Sequence, residues 1–238
     1  MIPLRDSIPN VHRPVAVYAI IALNALVFLW SRTLTDPQFI HLLHLYGVVP
    51  RRFLDPAWAL AMGYPPGGSF SFVSYMFLHG GWLHIILNMW MLWIFADNIE
   101  DVMGPWRFTV FYLTCGLAAL LTHMVFNPRA DMPVVGASGA ISGVLGAYFL
   151  LYPHARVLTL IPIFIFPLII EIPAILFLGF WFVSQIFPAV SSLGTQTDIA
   201  WWAHAGGFVA GIVLLPLFRH KDRCYYCRRP TGDPRAGR

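Results

Sequence analysis

Three groups of polar residues stand where the chain is otherwise apolar, and their types suit acyl-transfer chemistry. Ser138 lies in Val135-Gly136-Ala137-Ser138-Gly139-Ala140, at the start of an apolar run. A serine at a helix N-terminus faces backbone N–H groups that have no intrahelical acceptor, and these can hold a developing oxyanion. His204 lies in Trp202-Ala203-His204-Ala205-Gly206-Gly207, with Gly207 and Gly211 following on the helical face that carries it. An imidazole in reach of a serine hydroxyl is the usual general base for it. His84 and Asn88, four positions apart in Trp82-Leu83-His84-Ile85-Ile86-Leu87-Asn88, share one helical face and suit hydrogen bonding to a negative charge.

Each group alone has a packing explanation. Ser138, Ser142 and Gly146 form a small-residue stripe for close helix approach, and His84 and Asn88 could simply tie helices together. Together the groups supply a nucleophile, a base and oxyanion donors. That set calls for no metal and no cofactor.

The elements that carry these residues follow from composition. Of 238 residues, 58% are hydrophobic and 11% are charged. A soluble domain carries roughly 25% charged residues, so a soluble enzyme is excluded and so is a disordered chain. Six stretches are long and apolar enough to cross a bilayer, which takes roughly 20 residues each. They are Val15 to Trp30, Trp82 to Ala96, Phe108 to Phe126, Ser138 to Tyr152, Ile172 to Phe187 and Trp201 to Phe218. The expected fold is an all-α polytopic membrane protein. Its parts are a segment 1–14, a six-helix domain 15–218 and a basic tail 219–238. The first stretch lacks a small-residue cleavage site and reads as a retained anchor.

Orientation follows from the basic residues. With both termini cytoplasmic, 11 of the 15 Lys and Arg face inward, seven of them in the tail, and Arg32, Arg51, Arg52 and Arg129 face outward. This bias and the short tails suggest a bacterial plasma membrane. The basic tail suits anionic lipid head groups rather than nucleic acid. Ser138 and His204 then fall at the outer ends of their helices, at similar depth. Cys115 reads as a packing residue. Cys224 and Cys227 form a single Cys-Tyr-Tyr-Cys without the second pair that a zinc site needs, so they read as two reduced thiols, with zinc shared across a dimer as the alternative.

Two stretches resist a simple reading. The connection Thr33 to Leu78 is too long for a plain loop and should be structured. Its short apolar pieces, Phe39 to Val49 and Pro56 to Tyr64, suit helices lying partly in the outer membrane interface. Pro162, Pro167 and Pro173 bar any single helix from 157 to 187. Pro173 is expected in the first turn of the fifth spanning helix, with Glu171 at its N-terminus.

The order His79, His84, Asn88, then Gly136-x-Ser138-Gly139, then Ala203-His204 before glycines resembles the rhomboid intramembrane serine proteases. The resemblance covers about Phe70 to Leu217 and includes Glu100 and Gly104. It implies a six-helix bundle with a long first loop buttressing a water-filled site open to the outer side. It also implies cleavage of single-span membrane proteins within or beside the transmembrane segment. Ser138 and His204 would be the catalytic dyad; His84, Asn88 and the Ser138 N–H would form the oxyanion hole. His79 would orient the loop or a water, and Glu100 would serve structure at the cytoplasmic end. The fifth helix and the cap, about Pro188 to Asp198, would move to admit substrate. The chain departs from the family pattern twice. Phe70-Ser71 stands where many members have Trp-Arg, so the first loop must be anchored otherwise. Ser142 stands where many have an aromatic residue stacked on the histidine, so His204 must be oriented by something else.

Two other readings compete. A catalytically inactive rhomboid-like protein would bind and route transmembrane segments, but such relatives usually lack the serine or the histidine. A transporter relaying protons through His84, His123 and His204 would show an inverted repeat, which this sequence does not.

Overall fold

The apolar runs fold as helices in the computed structural model, which describes residues 1–163, 166–191, 200–220 and 223. Ten helices are present among the described residues. The long ones are α1 (Val15–Ser31), α6 (Trp82–Met103), α7 (Pro105–Phe126), α8 (Ser138–Leu151), α9 (Ala174–Ser191) and α10 (Trp201–Phe218). Between α1 and α6 lie α2 (Asp36–Tyr46), α3 (Pro50–Leu54), α4 (Pro56–Ala61), α5 (Ser71–Ser74) and a 3-10 turn at Tyr75–Phe77. Three helices, α7, α9 and α10, are each long and apolar enough to cross a membrane. The segment Ser71–Phe77 with α6 passes the same test as one broken unit, bent by 91°. The apolar helices α1 and α8 are shorter. The Cys224 and Cys227 pair, most of the basic tail and residues 192–198 of the expected cap lie outside the described residues.

The chain is not all-α. Strands β1 (Ile2–Asp6), β2 (Arg156–Ile163) and β3 (Phe166–Pro173) form an antiparallel sheet in the order β1-β2-β3. The three prolines that forbid a helix tolerate this hairpin, and β-branched residues such as Val157, Ile169, Ile170 and Ile172 favour it. Pro162 pairs with Pro167 near the end of the β2–β3 ladder, beyond the part of β2 that pairs with β1. A missing N–H therefore costs the ladder little there. Pro173 ends β3 rather than opening α9, and Glu171 sits opposite Leu158 in the sheet, 3.7 Å from Arg156. The expectation that Glu171 serves a helix N-terminus is thus corrected.

Helix α6 continues seven residues past Ala96, through Asp97, Glu100 and Asp101, because the N-terminal segment uses those carboxylates. Asn10 donates to Asp97 at 2.6 Å, and the Val11 and His12 amides donate to Asp101 at 2.6 and 2.7 Å. Glu100, buried, accepts from the Ala16 and Val17 amides at 3.0 and 2.8 Å. It thereby satisfies two first-turn N–H groups of α1, which has no side-chain cap of its own. The structural role expected for Glu100 is this one.

Helix α8 is central, with 11 of its 14 residues buried. It meets α10 through glycines on both sides. A Cβ at Gly207 would overlap the Gly139 carbonyl oxygen, one at Gly211 would overlap that of Gly143, and one at Gly146 would overlap that of Phe208. These backbones touch directly, so the small-residue stripes set the helix separation. Cys115, buried on α7, packs against Gly143 on the other flank.

The first loop is anchored by Arg52. Its buried guanidinium donates to the carbonyls of His44, Leu45, Pro65 and Gly67 at 3.2–3.4 Å and lies 5.0 Å from the Tyr64 ring. A planar fork with five donors suits four carbonyls converging from two stretches of chain. Arg52 gathers the loop here, where Phe70-Ser71 stands in place of a Trp-Arg pair.

Candidate active site

The loop and the bundle together hold the residues before Ser138. Val48 and Val134 exchange both backbone hydrogen bonds, at 3.0 and 2.8 Å, and the Gly136 amide donates to the Tyr75 carbonyl at 2.9 Å. Tyr75 is itself buried, its hydroxyl donating to the Gly116 carbonyl at 2.7 Å. Gly136 has φ +117°, which L side chains rarely adopt, and a Cβ there would press on the His84 ring. The chain thus turns sharply beside His84 and enters α8 at Ser138.

The Ser138 hydroxyl lies 2.9 Å from His204 Nε2. The other ring nitrogen, Nδ1, lies 2.8 Å from the Oε1 of Gln185 on α9. Trp181 and Trp201 flank the imidazole, with ring centroids at 6.3 and 6.1 Å, the latter edge-on. Ser142, at the position of the absent aromatic residue, is buried and turns its hydroxyl back to the Ser138 carbonyl at 2.7 Å. The Gly207 side of α10 lies directly over it.

Ser138, His204, His84 and Asn88 line one cavity of about 930 Å³. All four residues expected from the sequence are therefore brought together. Asn88 is buried, lines the cavity and donates to the His84 carbonyl at 2.9 Å, which commits one of its two N–H groups. His79 is buried and meets His84 edge-on at 5.0 Å between centroids, so it packs the ring from behind. His123 also lines the cavity, on α7.

Gln185 is the site residue that sequence reasoning missed. The available signal was a carboxamide in an otherwise apolar stretch, Phe182-Val183-Ser184-Gln185-Ile186-Phe187. Such groups inside membranes usually face a partner, but the partner lies on a different helix and spacing does not reveal it.

This arrangement can perform nucleophilic acyl transfer. A hydroxyl that donates to an imidazole can give up its proton as it attacks. Ser138 is the first residue of α8, where backbone N–H groups are free of intrahelical acceptors. His84 and Asn88 add side-chain donors on the same cavity wall.

Comparison with known proteins places the chain among similar sequences. The family model described as Rhomboid domain matches residues 66–221. Rhomboid protein 1, mitochondrial, of Saccharomyces cerevisiae is 28% identical over 207 residues, which is 83% of this chain and 51% of that protein. Rhomboid protease GluP of Bacillus subtilis is 40% identical over 70 residues, 29% of this chain and 13% of that protein. Putative rhomboid protease YdcA of the same organism is 31% identical over 94 residues, 40% of this chain and 47% of that protein. Each alignment covers about half of the relative's length or less. Several relatives are mitochondrial by name, which conflicts with the bacterial plasma membrane expected from charge bias and tail length.

Proposed function

The chain belongs to the rhomboid family, and from that premise we propose that it is an intramembrane serine endopeptidase acting on single-span membrane proteins, at or next to their transmembrane segment. The observation that carries the reading is the 2.9 Å hydrogen bond between Ser138 and His204. It joins a helix N-terminus on α8 to a base on α10 inside a cavity that His84 and Asn88 also line. Relatives named as proteases support the same class.

In this reading Ser138 Oγ attacks the scissile carbonyl carbon while its proton passes to His204 Nε2. The resulting oxyanion is held by the His84 and Asn88 side chains and the Ser138 N–H. The C–N bond then breaks as His204 returns the proton to the departing amine. Water, deprotonated by His204, attacks the acyl ester, and Ser138 leaves with its proton restored. Losing one oxyanion donor typically costs about 10²–10³ in turnover.

The six long helices are taken as the membrane bundle, within a protease domain at 15–218. The first loop would sit partly in the outer interface. Both termini would lie on the same side of the membrane, opposite the site opening, with the tail 219–238 on anionic lipid. Helix α8, with 14 residues, rises roughly 21 Å, against a hydrocarbon core of about 30 Å. Ser138 would then start below the membrane surface, and the cavity would give water its route to the bond.

The test is cleavage of a labelled single-span substrate by the purified full chain in liposomes. Wild type is run beside Ser138→Ala and His204→Ala, with thermal unfolding as the folding control. Cleavage by wild type alone supports the proposal. Equal cleavage by all three removes it. Failure of wild type on several helix-unstable substrates favours a rhomboid-like protein that binds transmembrane segments without cutting them.

A further inference from the structure

The polar contacts around His204 form a chain whose hydrogen-bond directions can be read in order. Ser184 donates its hydroxyl proton to the Trp181 carbonyl at 2.6 Å. Its oxygen is then free to accept from Gln185 Nε2 at 3.0 Å, and Nε2 also reaches the Trp181 carbonyl at 3.3 Å. Both partners accept from the Gln185 nitrogen, so the carboxamide has one sensible orientation, with Oε1 toward α10. That oxygen lies 2.8 Å from His204 Nδ1 and is an acceptor only. A neutral imidazole therefore carries its proton on Nδ1, which leaves the Nε2 lone pair for the Ser138 hydroxyl at 2.9 Å.

We propose that Gln185 is a positioning residue that sets the tautomer and ring orientation of His204, so that Ser138 meets a base and not a second N–H. This rests on the endopeptidase reading above and deepens it. The opposite tautomer would present Nε2–H to Ser138 and leave the hydroxyl proton without an acceptor. Gln185 is 8% exposed and is the one polar residue among the five that α9 buries. A buried carboxamide with both ends bonded has few other orientations. It fills the role left open at Ser142, by a hydrogen bond from a different helix in place of a stacked ring. As His204 takes up the serine proton, its bond to Oε1 becomes charge-assisted and strengthens, so the contribution is larger in the transition state than in the resting site.

The experiment compares wild type, Gln185→Leu, Gln185→Glu and Ser138→Ala as full chains in detergent. Four quantities are read. They are kcat and KM on a single-span substrate, the rate at which a fluorophosphonate probe modifies Ser138, and the ¹⁵N signals of His204. Those signals are assigned by subtracting the spectrum of His204→Gln. Loss of a hydrogen bond to a developing charge predicts that Gln185→Leu lowers kcat and probe labelling about 10- to 100-fold with KM little changed. The His204 signals should move from one tautomer to a mixture. Gln185→Glu keeps an acceptor and should restore the Nδ1–H tautomer and most of the labelling rate.

Unchanged labelling and an unchanged tautomer in Gln185→Leu would overturn the proposal. So would equal losses in Gln185→Leu and Gln185→Glu that track a fall in melting temperature, because that marks a packing role. If wild type neither labels nor cleaves, the endopeptidase reading fails. The ¹⁵N comparison then still decides whether Gln185 sets the tautomer.

Discussion

Gly207 of α10 and Gly139 of α8 pack backbone on backbone, with no room for a side-chain carbon between them. The contact lies one turn from His204 and one residue from Ser138, so it sets how far apart base and nucleophile stand. Gly207→Ala should force α10 outward. Overpacking of this kind costs about 1–3 kcal/mol, and the 2.9 Å Ser138–His204 bond should open. The check is thermal unfolding in detergent beside probe labelling of Ser138, both reduced in Gly207→Ala. Val209→Ala, at a half-exposed position on the same helix, should change neither.

Glu100 should be a stability residue with little direct effect on chemistry. Its carboxylate serves the Ala16 and Val17 amides of α1 from inside the bundle. Glu100→Ala leaves two buried donors without partners, for about 1–3 kcal/mol each at most. Glu100→Gln keeps one acceptor oxygen and should lose about half as much. Melting temperatures of the two variants should rank in that order, with KM on a model substrate unaltered in the folded fraction.

Arg52→Lys should loosen the first loop almost as much as Arg52→Ala. An ammonium cannot span four carbonyls that a guanidinium fork reaches together. Limited proteolysis should then cut within 55–70 faster in both variants than in wild type. Equal protection in Arg52→Lys and wild type would show that charge alone anchors the loop.

The N-terminal strand should hold more firmly in acid. Burial pushes the Asp6 carboxyl up to about 7, against which the hydrogen bond from Tyr148 acts only in part. A carboxyl raised in the folded state binds more protons folded than unfolded. Its contribution is full below the ordinary value near 4 and declines as pH rises toward 7. Hydrogen exchange of the 2–6 amides should therefore show greater protection at pH 5 than at pH 8, after correction for intrinsic rates. Asp6→Asn keeps an acceptor for Tyr148 and should remove the difference.

The chemistry-bearing residues were legible in the sequence because polar groups are costly in an apolar chain and so stand out. Ser138, His204, His84 and Asn88 are each a polar exception in an apolar run, and all four line one cavity. The sheet was not legible. Prolines at 162, 167 and 173 announced a break in the helix, but one of the two partners of β2 is the strand Ile2–Asp6, some 150 residues earlier. Arg52 was legible only as an outward charge, because its four carbonyl partners carry no side-chain signal. Gln185 was hidden for the same kind of reason: its partner His204 lies 19 residues on, on a different helix, where the periodicity of one helix says nothing about the other.

Local chemistry along the chain determined what this protein is made to hold: apolar helices, glycines where backbones must touch, and a small set of polar groups expensive enough to need partners. Tertiary structure decided which partner each group received. Periodicity reports the face of one helix, whereas a hydrogen bond between helices depends on their separation and rotation. Those are set by the packing of α8 against α10 and of α9 against both. The Ser138–His204 pair was therefore foreseeable as two candidates, and the Gln185–His204 bond emerged only when the helices came together.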